Sequence, residues 1–171
     1  MAISTIRSDL QVDGQFTATS VTLPSACVGN AQVKTGDLID HNKMEHLFPI
    51  QVPIGNSGTD VADVTRIAHI VRKAGSVVAV EVVAETAPTG GDKKFTLDVQ
   101  KGSQSVAFAT ILSAVITYDN TRANKQVVAG TVTVPTLAAG DQLKIIADAS
   151  GTTGSQAQNA MAVIWVKEDG D

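Results

Sequence analysis

The stretch Ile111–Thr117, ILSAVIT, decides how this chain is read. Its aliphatic and β-branched side chains favour a strand. Alternation puts Ile111, Ser113, Val115 and Thr117 on one face and Leu112, Ala114 and Ile116 on the other. The second set is expected to face the core. Similar runs lie on either side of it: Val77–Val83 (VVAVEVV), Phe95–Gln100 (FTLDVQ), Val127–Val134 (VVAGTVTV), Leu143–Ala149 (LKIIADA) and Ala162–Lys167 (AVIWVK). In the last of these, Ala162, Ile164 and Val166 share one face and Val163 and Trp165 the other. Both faces are largely apolar, which suggests a strand covered on two sides.

Turn-forming segments separate the runs. Ala74-Gly75-Ser76, Ala87–Asp92 (APTGGD), Lys101–Gln104 (KGSQ), Asp119–Asn124, Pro135–Asp141 (PTLAAGD) and Ser150–Asn159 (SGTTGSQAQN) carry the Gly, Pro and Asn that reverse a chain. Ser150–Asn159 reads as a long flexible loop, and Ile67–Arg72 as one more strand. The count comes to about eight strands with little room for helices between them, which favours an antiparallel β-sandwich or jelly roll over a parallel βαβ sheet.

Composition agrees. The chain has 171 residues, of which 43% are hydrophobic but only 4% aromatic, so the core is expected to be built from small and β-branched side chains. A chain of this size buries roughly 70% of its unfolded surface, enough for a core without metals or disulfides. The formal net charge of −4 argues against a general nucleic-acid or anionic-membrane surface, which needs a positive field. The clusters Arg66–His69–Arg72–Lys73 and Lys93–Lys94 read as solvated or subunit-facing charge. Cys27 is the only cysteine, so no intrachain disulfide forms. The opening residues lack the apolar run of a secretory signal, and no stretch approaches the roughly 18 apolar residues of a membrane span.

The chain divides by pattern into residues 1–60 and a sandwich over 61–171. In the first part, Leu10, Val12, Phe16, Ala18, Val21 and Leu23 alternate with polar residues around an Asp13-Gly14 turn. This extended arm is too small to bury its own apolar face. Asp40 could cap one short helix over His41–Leu47, and the Pro- and Gly-rich PIQVPIGNSGTD, residues 49–60, reads as an irregular linker.

Candidate chemistry is sparse. In HNKMEH, His41 and His46 are five residues apart, about 140° round a helix, whereas a zincin places two His four apart on one face with a Glu base. Only His41 and Glu45 would share a face, so no metal site is assigned. His69, between apolar neighbours, reads as a hydrogen-bonded structural residue, and Cys27 as a small hydrophobe. Asp119, Asn120 and Asp141 could offer oxygen ligands to calcium, but their spacing matches no EF-hand loop and loop Asp and Asn are commonly turn-formers. Tyr118 and Trp165 are isolated and read as core or interface anchors. No catalytic residue, cofactor or enzymatic activity is expected.

The arm, SDLQVDGQFTATSVTLPSACVGNAQVKTGDLIDHNKMEH, resembles the opening of tailed-phage virion proteins. The remainder, FTLDVQKG, ILSAVITYDNT, AGTVTVPTLAAGDQLKIIADASGTTG and AVIWVKED, is similar to the β-sandwich modules of phage head-decoration and fibre-like proteins. The resemblance implies a capsid decoration or cement protein, trimeric, made in the host bacterial cytoplasm. It would bind the major capsid protein on the surface of the assembled phage head, with neither nucleic acid nor membrane as partner. The expected capsid or subunit contacts are then Leu10, Val12, Phe16, Val21, Leu23 and Val33. The alternative is a fibre or adhesin domain that holds carbohydrate or a receptor through the loops Ala87–Asp92 and Ser150–Asn159.

Overall fold

Runs in which every second residue is Val, Ile, Leu, Ala or Phe can bury one side of a pleated strand and leave the other to solvent. In a computed structural model, which describes residues 46–56 and 58–168, these runs form strands in two antiparallel sheets. The strands are β1 (His46–Pro53), β2 (Val64–Ile70), β3 (Gly75–Thr86), β4 (Lys94–Gly102), β5 (Ala109–Thr110), β6 (Ile116–Asp119), β7 (Val128–Gly130), β8 (Thr136–Leu137), β9 (Gln142–Ser150) and β10 (Gln158–Glu168). One sheet runs β1-β10-β3-β7, with β8 also on β3. The other runs β2-β9-β4-β5, with β6 also on β4. None of the described residues is helical.

The sheets pack through one apolar core. Val80, Val82, Ala162, Ile164 and Val166 come from the first sheet, and Phe95, Leu97, Val99, Leu143 and Ile145 from the second. The protein is thus an all-β, antiparallel sandwich. As the sequence predicts, Ala162, Ile164 and Val166 point inward and Val163 and Trp165 outward. Tyr118 is fully buried and stacks on Phe95 with ring centroids 5.3 Å apart. Its hydroxyl lies 3.0 Å from the carbonyls of both Ala123 and Gln126, which ties the loop after β6 to the core.

Four expectations need correction. First, ILSAVIT is not one strand. Ile111 N donates to Val99 O in the second sheet, while Ile111 O accepts from Thr133 N beside the first. The chain therefore leaves the second sheet after β5, bonds to the segment after β7, and returns to the second sheet at β6. Ile111 and Leu112 are buried in succession and Ala114 is exposed, so the period of two fails until β6 begins at Ile116.

Second, much of the supposed linker is β1, paired with β10 from His46↔Glu168 to Pro53↔Met161. Pro49 and Pro53 are tolerated because β1 is an edge strand, where a missing N–H can face away from the ladder. Third, the helix expected over His41–Leu47 is overruled at its end, since His46 and Leu47 belong to β1; residues 41–45 lie outside the described part.

Fourth, Val127–Val134 is strand only at Val128–Gly130. Beyond it the chain turns to the segment between β5 and β6, with a bridge between Leu112 and Val132 and a bond from Ser113 N to Thr131 O.

Two bulges reset the alternation elsewhere. In β3 the register passes from Ala79↔Trp165 to Val77↔Val166, which leaves Val78 unpaired and 53% exposed. In β2 it passes from Ile67↔Lys144 to His69↔Leu143, which leaves Ala68 unpaired. A bulge lets two residues oppose one and re-aims the side chains beside it.

Candidate binding surfaces

The arm residues expected to make contacts, Leu10, Val12, Phe16, Val21, Leu23 and Val33, lie outside the described residues, as do Cys27, His41 and Glu45. His46 is exposed on the edge strand. Among the described residues no three His, Cys, Asp or Glu side chains come together as metal ligands. Asp119 and Asp141 do not converge. The first is level with Lys94 and the second precedes Gln142, which pairs with Gly102, so they sit at opposite ends of β4. Each carboxylate is taken up locally. Asp119 accepts from Thr121 N and Oγ1, and Asp141 accepts from Ala138 N and lies 3.8 Å from Lys101 Nζ. These are turn-forming bonds. The Thr121 bonds also hold the Asp119 carboxyl below its ordinary range.

The two loops singled out in the sequence, Ala87–Asp92 and Ser150–Asn159, do come together. Thr89 and Ser155 exchange backbone hydrogen bonds of 3.0 and 2.9 Å. The Asp92 carboxylate accepts from Thr153 N at 2.7 Å, Thr152 N at 2.8 Å and Thr153 Oγ1 at 3.0 Å. Bonds from backbone amides favour the charged form, and they bring the Asp92 carboxyl down to about 2, the two Thr153 bonds and the Thr152 amide being the causes. Gly154, at φ +96°, lets its backbone close on Gly90: a Cβ there would sit 2.1 Å from the Gly90 carbonyl oxygen. The segment is a stapled turn, and no Tyr, Trp or Phe lies on either loop to stack on a sugar.

The outer faces of the two sheets differ. On the first, the register aligns Pro49, Trp165 and Ala79 in one row and Pro53, Met161 and Val83 in another. Between them lie Gln51, Val163 and Glu81, and Trp165 Nε1 donates to Glu81 Oε2 at 3.0 Å. On the second sheet the corresponding outward positions of β4 and β9 are Thr96, Asp98, Gln100, Lys144, Ile146 and Asp148. The outer face of the first sheet is thus mainly apolar, and the β4-β9 part of the second mainly polar. Period-two alternation identified Val163 and Trp165 in advance. The contribution of β1 was hidden by its prolines.

A β-sandwich of two antiparallel sheets, with no group of three His, Cys, Asp or Glu side chains placed to hold a metal among the described residues, is the class these features define. The same fold occurs in a solved structure titled "Capsid of Ralstonia phage GP4", with a TM-score of 0.52, 17% sequence identity, and an alignment covering 81% of this chain and 93% of that one. At this identity the likeness is one of fold. No protein-family model matches the chain, and no curated protein matches it.

Proposed function

We propose that this chain is a structural virion protein that attaches as a homotrimer to the surface of an assembled tailed-phage head and stabilises it. The observation that carries the reading is the fold shared with a chain of the Ralstonia phage GP4 capsid over nearly the whole of that chain. The similarity of the sequence to phage head-decoration modules supports it, and so does the mainly apolar outer face of the β1-β10-β3 sheet, the kind of surface subunits cover. Contact with the shell is assigned to the arm, around Ser8–Val33, whose alternating apolar residues need a surface to lie on.

The test is co-sedimentation with heads that lack the protein. The full chain should pellet with heads and raise their melting temperature. A chain lacking Met1–Ala26 should keep the sandwich fold, read by circular dichroism, and lose attachment. Attachment unchanged by the truncation would move the contact to the sandwich. Failure of the full chain to bind heads would remove the reading.

A carbohydrate-binding role has one observation in its favour: Ala87–Asp92 and Ser150–Asn159 adjoin at one end of the sandwich. A glycan array separates the two. A saturable glycan signal lost on substitution of Thr152 and Thr153 would favour it, and a blank array with head binding intact would exclude it.

A further inference from the structure

Among the described residues, exposed apolar side chains, a cation without an anionic partner and a buried polar atom without a hydrogen bond coincide at the edge of the second sheet. The strand there is β2. Ile67 is 45% and Ile70 53% exposed. They line an open hollow of about 460 Å³ with Ala68, His69 and Arg72. Arg72 is exposed and has no carboxylate at ion-pair distance among the described residues, whereas Arg66 lines the neighbouring hollow with Ile54, Asp60 and Val64. Asp63, just before β2, is occupied by Ala149 N at 2.8 Å.

The bulge at Ala68 brings His69 level with Leu143, and its ring meets Phe48 of β1 edge-on with centroids 5.7 Å apart. There His69 Nε2 is buried with no hydrogen-bond partner. Such a group is destabilising until something bonds to it. Bulges of this kind are frequent beside binding sites, where they turn a side chain toward a ligand.

We infer that this hollow is a docking point for an acidic side chain flanked by apolar residues, carried by another protein chain. The charge decides the ligand class, since the one charged group lining the hollow is the Arg72 guanidinium, which has no carboxylate partner among the described residues and selects a carboxylate. Ile67 and Ile70 supply apolar area on either side of it. Recognition runs through side chains and not through an added strand, because the Ala68 bulge interrupts the free edge and bulges and edge charges discourage strand addition. The inference does not depend on the virion reading.

The test uses the isotope-labelled full chain and a capped tripeptide, valine-glutamate-valine, as the probe, followed by amide chemical shifts. Saturable shifts confined to 66–72 and the facing part of β1 are expected. Replacing the peptide's glutamate by glutamine, or making Arg72→Gln, should each weaken binding about tenfold or more, the scale of a charge-assisted hydrogen bond. Unchanged spectra away from 66–72 would establish that the variant is folded.

Three results would overturn the inference. One is the absence of saturable shifts up to the peptide's solubility. Another is equal binding by the glutamine peptide, which would mark a purely apolar contact. The third is the same shifts from sodium phosphate alone, which would mark a general anion site. Protection of the 66–72 amides that disappears on dilution of the chain alone would assign the hollow to a second copy instead.

Discussion

At the scale of single residues, this fold is held by side chains that look unremarkable in the sequence. Asp92 is one. Its carboxyl is brought from 3.8 to about 2 by bonds to Thr153 and Thr152. A depressed carboxyl contributes stability above its unfolded value and loses it as pH falls through the folded one. The staple should therefore be intact above about pH 4 and fail toward pH 2, seen as a loss of hydrogen-exchange protection at Thr152 and Thr153 relative to their intrinsic rates. Asp92→Asn should bring the same loss of protection to neutral pH while the core strands stay protected. A protection factor at those amides that does not change with pH would contradict the assignment.

Tyr118 is a second case. Removing its hydroxyl by Tyr118→Phe leaves the carbonyls of Ala123 and Gln126 without that donor, and should cost about 1–2 kcal/mol in chemical denaturation. Gly130 is a third. A Cβ there would lie 2.8 Å from Ile116 Cγ1 and 2.9 Å from its Cδ1. Gly130→Ala should thus cost about 1–3 kcal/mol by overpacking.

At the scale of elements, β10 is the spine of the first sheet, flanked by β1 on one side and β3 on the other. Ile164 is fully buried at its middle. Ile164→Ala should cost about 2–5 kcal/mol, as cavity-forming substitutions do. Ile50, its half-buried partner on the edge strand, should cost less on the same change; equal losses would contradict this order of strands. Where alternation runs unbroken, as in β4, β9 and β10, the strands and their inward faces were legible from the residues alone.

Legibility failed where a long-range bond overrules a local pattern. ILSAVIT has strand composition, yet Ile111 bonds to Val99 of β4 on one side and to Thr133, between β7 and β8, on the other. PIQVP reads as loop because two prolines forbid a central strand, but nothing local distinguishes an edge strand from a linker. Unpaired Val78 and Ala68 likewise depend on their neighbours β10 and β9. The candidate surfaces were legible in part. Val163, Trp165 and the basic run Arg66–Arg72 stood out by pattern, while the orphaned His69 nitrogen needed the bulge to be seen.

At the scale of the molecule, a mainly apolar outer face on one sheet and a mainly polar β4-β9 part on the other give the sandwich two unlike sides. Such asymmetry suits a body that packs on copies of itself and turns its polar side outward, the arrangement expected of a closed oligomer. Trp165→Lys with Val163→Lys should therefore leave the core intact and lower the oligomeric mass in analytical ultracentrifugation. An unchanged mass would free that face from subunit packing. The central claim is attachment to a phage head, and co-sedimentation of the full chain with heads lacking it tests this most directly. The account predicts saturable binding at a fixed number of copies per head, with a raised melting temperature of the shell. A chain that stays in the supernatant at every concentration, with the shell's melting unchanged, would contradict it.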